Sequence, residues 1–319
     1  MGNQYSTIEE TPQKFGWVRD LPDIRDKKLS FKRHNYVQIK SKVDLRPQFC
    51  KIYEQGNINS AVALSIGSVL NFDANEQNMG SFDPSVLFIY FNERNLSSFE
   101  NYNIDYGSSI RNTLKTINKI GVCSNNYWPY DINYFKTQPY KKCYEEAKEY
   151  SNIKYKRLNN GSLRDLKTCL SMGRPFVFGF SVYESFKNPL IWNPKIDSMP
   201  IPNPNKERLI GGHVCVAVGY SDKRKSFIIR NSWGKDWGLD GHFFMPYKFI
   251  VSNQCDDFWT FQFDRNEYFI VEKESYVDKV VKKPKESEPE PEKTIETKNI
   301  LIPVKDNTVN KNKCMIKDL

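Results

Sequence analysis

The sequence predicts an α+β protein with a mainly helical first half and a β-rich second half. Three observations carry this. Apolar residues in the first half recur at helical spacing, in the second half they gather in short β-branched and aromatic runs, and a proline-rich loop interrupts those runs. At 319 residues the chain is long enough for one large domain or two lobes around an ample core, and 39% hydrophobic and 14% aromatic residues fit a globular protein.

In chain order, the first 42 residues are polar and basic, with Gly16-Trp17-Val18-Arg19-Asp20-Leu21-Pro22-Asp23 at their centre. Residues 17–26 combine an aromatic anchor with alternating apolar and charged residues, so this leader (1–42) is expected to dock on the domain. Whether it covers a cleft is left open. From Ala61 to Phe72 apolar residues surround nearly the whole helical circumference, which describes a helix buried on most sides. Asp83-Pro84-Ser85 opens a second helix through Val86, Leu87, Tyr90 and Phe91, and Ser108 to Lys119 reads as a third.

After Tyr127-Trp128-Pro129-Tyr130 the texture changes. Strand patterns run over Arg174–Val182, Val214–Tyr220, Ser226–Arg230, His242–Met245 and Phe258–Phe263, and five prolines between Pro189 and Pro204 mark a surface loop. The domain is expected to span 43–272. The remainder, 273–319, contains Lys282-Lys283-Pro284-Lys285-Glu286-Ser287-Glu288-Pro289-Glu290-Pro291-Glu292 and reads as a charged, disordered tail.

The net charge of +9 comes without any helix-turn-helix, zinc-knuckle or RNA-binding signature, so nucleic acid is not an expected partner. Seven cysteines at irregular spacing include no C-x-x-C pair, and no metal or organic cofactor is expected. With no apolar signal region and no long apolar run, an intracellular protein is expected. Gly2 followed by Ser6 fits an N-myristoylation pattern, and the basic leader could add attraction to anionic lipid, so peripheral membrane contact is a candidate role.

Three segments bear on chemistry: Gln55-Gly56-Asn57-Ile58-Asn59-Ser60-Ala61, Gly212-His213 within a strand, and Arg230-Asn231-Ser232-Trp233-Gly234. Their order and spacing resemble the papain-like cysteine peptidases, over about residues 43–272. The resemblance implies a two-lobed fold with a helical left lobe, an antiparallel β-barrel-like right lobe and a cleft between them. By the same resemblance His213 would be the base, Asn231 its orienting partner and Trp233 the shield of their bond. Gln55 would line an oxyanion hole, Gly107 and Ser108 would pair with substrate backbone, and a peptide or protein would be the ligand.

The nucleophile position, six residues after Gln55, holds Ala61. A thiol there would sit at the start of a buried helix, where the macrodipole favours the thiolate. Without it the chain is expected to be catalytically silent. Two origins stay open: a Cys→Ala replacement in a peptidase, or a natural pseudopeptidase that binds peptides or partners. Ser60 is expected to point away from His213, one helical step turning a side chain by about 100°. Cys215, two residues along the strand, shares a face with His213 and reads as an ordinary buried thiol. Ile58 stands where the family has a cysteine, so the disulfide implied there has no partner.

Overall fold

The structure is a computed structural model, and it describes residues 15–29, 31, 38–97, 103–187 and 198–265. The expectations for Gly2, for part of the proline-rich loop and for the tail from 273 lie outside the described residues.

Three helices come first: α1 (Ala61–Glu76), α2 (Val86–Ser97) and α3 (Ile110–Ile120). The α1 helix is buried along most of its length, as its apolar circumference predicts. The α3 helix starts at Ile110, later than the expected Ser108. Ser109 caps it, its hydroxyl accepting from the Asn112 N–H at 3.3 Å. That cap leaves the backbone of Ser108 outside the helix and available for other partners.

A sheet dominates the second half. Its strands are β2 (Ile153–Arg157), β3 (Phe176–Tyr183), β4 (Leu209–Ser221), β5 (Ser226–Arg230), β6 (His242–Pro246) and β7 (Cys255–Phe263), in the order β2-β7-β3-β4-β5-β6. A short N-terminal strand, β1 (Lys42–Asp44), pairs with β4, and every strand pair is antiparallel. Strand β1 is only three residues long, and β2, although Ile153 and Tyr155 alternate with lysines, was not expected from the sequence. Nor does the β-rich half lack helices, since α4 (Lys141–Ala147), α5 (Leu163–Ser171) and the single turn α6 (Tyr247–Ile250) intervene.

Buried polar side chains fasten α1 to the sheet. The Ser65 hydroxyl donates to the Val214 carbonyl at 3.0 Å, one residue beyond His213. Arg230 on β5 donates from Nε to Ser68 Oγ at 2.8 Å, and Asp73 accepts from the Phe263 N–H at 2.7 Å. Removing either partner of such buried pairs leaves an unsatisfied group that costs about 1–3 kcal/mol. These bonds fix the first residue of α1 relative to the strand that carries His213.

Candidate active site

Ala61 is the first residue of α1 and is fully buried. His213 lies on β4, where Phe180 of β3 is its register partner. Its Nε2 meets Asn231 Oδ1 at 2.8 Å, and the Trp233 ring stacks on the imidazole with centroids 4.8 Å apart. Asn231 Oδ1 also accepts from the Ser232 N–H at 2.8 Å, which locks the amide with its oxygen towards the ring. The opposite ring nitrogen, Nδ1, is buried without a hydrogen-bond partner. Burial lowers the His213 pKa from 6.5 to about 4, against the raising effect of the Asn231 bond.

Gln55 is buried rather than a surface residue. Its backbone N–H donates to Ser232 O at 2.8 Å, and the Ser232 hydroxyl donates to Gln55 Oε1 at 3.3 Å. With its oxygen held, the amide presents Nε2 as the donor, and that nitrogen reaches the Phe15 carbonyl at 3.0 Å and the Ile58 carbonyl at 2.7 Å. Ser232 is thus a positioning residue. The sequence signalled it only as part of Asn-Ser-Trp.

The two neighbouring side chains with a hydroxyl or thiol, Ser60 and Cys215, have hydrogen-bond partners of their own. Ser60 Oγ and the Tyr130 hydroxyl lie 2.7 Å apart, and Tyr130 donates onward to the Gln55 carbonyl at 2.8 Å. Cys215 Sγ donates to Asn231 Oδ1 at 3.5 Å, and complete burial pushes its thiol pKa well above the ordinary value. A thiol so disfavoured as thiolate is no nucleophile.

Gly107 and Ser108 meet a peptide, and it belongs to this chain. The Ser108 N–H donates to Gly16 O at 3.0 Å, the Val18 N–H to Ser108 O at 3.0 Å, and the Trp17 N–H to Gly212 O at 2.9 Å. Trp17 and Ser108 form a parallel β-bridge. The approach is close: Gly16 has φ +111°, and a Cβ there would fall 2.0 Å from Asn59 O, while one at Gly107, φ +94°, would fall 2.3 Å from Gly16 O. The Phe15 ring meets His213 edge-on (centroids 5.9 Å apart) and lies tilted against Trp233 (6.2 Å). Residues 15–18 therefore lie across the cleft, between Gln55, Ser108, Gly212 and His213.

Asn59 and Asp105 support this segment, and sequence reasoning missed both roles. Asn59 Oδ1 accepts from the Phe15 N–H at 3.2 Å, and its Nδ2 donates to Asp105 O at 2.7 Å. Further along, Asp20 accepts from the Arg111 N–H and from Trp259 Nε1 (3.1 Å), and Asp26 pairs with Arg111 at 2.6 Å. Among the described residues no group of His, Cys, Asp and Glu is arranged to hold a metal ion, and the six described cysteines are free thiols.

The papain-like arrangement agrees with comparisons to known proteins. The profile of the papain family cysteine proteases matches residues 98–257. An uncharacterized peptidase C1-like protein of Acanthamoeba polyphaga mimivirus is 37% identical over 275 residues, covering 78% of this chain and 87% of that one. Xylellain, a cysteine protease from Xylella fastidiosa, superposes with a TM-score of 0.71 at 36% identity, over 79% of this chain and 96% of its own. A Trypanosoma congolense procathepsin B shares the fold at 17% identity, with a TM-score of 0.58 over 77% of this chain and 84% of its own. The chain belongs to the papain family of cysteine proteases.

Proposed function

We propose that this chain is a papain-type peptidase scaffold, built to hydrolyse peptide bonds through a thioester and catalytically silent because residue 61 is alanine. The supporting observation is the locked set His213–Asn231–Ser232–Gln55. It aims an amide donor at a peptide carbonyl and leaves the outer nitrogen of a buried imidazole without a partner.

With a thiol at position 61 the steps follow from these groups. The thiolate adds to the scissile carbonyl carbon, and Gln55 Nε2 stabilises the oxyanion that forms. The imidazolium returns its proton to the leaving amine as the C–N bond breaks, leaving a thioester. His213 then takes a proton from water, hydroxide adds to the thioester, and the thiolate departs. With alanine there is nothing to form the first bond.

Residues 1–42 act as a leader over a body spanning 43–272, with 273–319 as a tail. The leader's hold on the cleft makes the state latent as well as silent, so peptides must displace residues 15–18. A second reading has one observation in its favour. Phe15 O already sits on the oxyanion donor while Ala61 cannot attack, an arrangement suited to a pseudopeptidase that binds peptides or partners without cutting them.

The test combines Ala61→Cys with Trp17→Ala, which weakens the leader's grip. The double variant should hydrolyse peptide-aminomethylcoumarin substrates, and adding His213→Ala should abolish turnover by about 10⁴-fold or more. A folded double variant that stays inert across a broad substrate panel would favour the pseudopeptidase.

A further inference from the structure

Three glycines stand where strand residues are ordinarily larger: Gly179 inside β3, and Gly211 and Gly212 immediately before His213. Glycine inside a strand weakens it unless something must approach closely. Here the approaching groups are side chains of the N-terminal segment. A Cβ on Gly179 would fall 2.0 Å from Trp17 Cε2, and one on Gly212 would fall 2.9 Å from Trp17 Cε3. One on Gly211 would fall 2.6 Å from Phe15 Cδ2. The bed under Trp17 is a flat slot cleared to the backbone.

The far end of the slot is polar. Trp17 Nε1 donates to Asp257 Oδ2 at 3.0 Å, and the Asp20 N–H donates to the same oxygen at 2.8 Å. Asp257 is fully buried, and its other oxygen is held by Arg157 Nη2 at 2.8 Å. The two donors to Oδ2 both belong to the N-terminal segment, whereas Arg157 belongs to the body. When the segment leaves the cleft, Oδ2 loses both donors and Oδ1 keeps its own.

We propose that this slot takes a tryptophan side chain from a peptide ligand, read from Gly179, Gly212 and Asp257 of this chain. The inference rests on reading the cleft as a peptide groove, though not on turnover. An indole fills the glycine-cleared slot and brings an N–H to the exposed Oδ2. Phenylalanine or leucine would leave a buried carboxylate oxygen without a donor, the situation in which polar sites discriminate most strongly. Arg157 is shared among Asp26, Asp256 and Asp257, so arginine is the competitor that sets the shape of the slot against its charge.

The test reads binding alone, on the full chain with Ala61 in place and with Phe15→Ala and Trp17→Ala to empty the subsites. Fluorescently labelled, blocked tetrapeptides Phe-Gly-X-Val, with X as Trp, Phe, Leu or Arg, are titrated by anisotropy. The Trp peptide should bind about tenfold or more tighter than the other three. That preference should collapse when Gly179→Ala narrows the slot, and also when Asp257→Ala removes the acceptor. Gly179→Ala keeps the test decisive if Asp257→Ala fails to fold. Equal affinities, a preference for Phe, Leu or Arg, absence of saturable binding, or a Trp preference untouched by Gly179→Ala would each overturn the proposal. Trp-selective binding by a chain whose Ala61→Cys variant stays inert would sink the peptidase reading and leave this one standing.

Discussion

His213 is the base of the proposed chemistry. Burial holds its imidazole neutral down to about pH 4, although an unfolded histidine titrates near 6.5. Its contribution to stability is therefore complete above pH 6.5 and is lost as pH falls from 6.5 towards 4, by roughly 3 kcal/mol in all. Asp257, raised to about 6 by burial, runs the other way, because the folded state takes up its proton first as pH falls. The His213 term is isolated by titrating its ring resonances. They should move near pH 4 in the wild type and at higher pH in Phe15→Ala, where water gains access to the ring. A midpoint near 6.5 in the wild type would mean that His213 is not buried as described.

Among the elements, α1 and the strands around His213 were the most legible in the sequence. The apolar circumference of α1 could only describe a buried helix, and its first residue fell at Ala61 as expected. The cores of β3 to β7 announced themselves by aromatic and β-branched runs. Strand β1 did not, being three residues long, and β2 was overlooked because its alternation rests on only Ile153 and Tyr155. The site was legible as a spacing of Gln55, His213 and Asn231. Roles that depend on tertiary approach, such as Ser232 on Gln55 and Asn59 on Phe15, leave no local signal. The docking of 17–26 was foreseeable from Trp17, but its path across the cleft was not, since it depends on Gly16 passing Asn59 O. That contact gives an element-scale prediction. Gly16→Ala demands a positive φ of alanine and places its Cβ within 2.0 Å of a carbonyl oxygen, so residues 15–20 should leave the cleft. Hydrogen exchange should speed up at the Trp17, Val18 and Ser108 amides and stay unchanged in α1. Unaltered protection at those three amides would contradict the docking described.

At the scale of the whole molecule, one papain-type body carries its own ligand in its cleft, and a cluster of charges fastens that ligand. Asp20 and Asp26 of the N-terminal segment meet Arg111 and Arg157 of the body. No helix among the described residues is long and apolar enough to cross a membrane. Peripheral attachment through Gly2 remains a proposal, and a myristate analogue should label the wild-type chain in a eukaryotic host but not Gly2→Ala. One acyl chain binds only marginally, so the labelled protein should prefer anionic vesicles and detach as salt rises. An unlabelled wild type would remove the anchor.

If the proposed set His213, Asn231 and Gln55 lacks only its nucleophile, covalent capture reads this most directly. A peptidyl epoxide that alkylates active-site thiols is incubated with the folded chain bearing Ala61→Cys and Trp17→Ala, and the intact mass is measured. An adduct should form that maps to position 61 by peptide mass mapping, and no adduct should map there when Ala61 is retained. It should slow by orders of magnitude when His213→Ala removes the base. A folded variant that gains no adduct at position 61, or gains it equally fast without His213, would contradict the account.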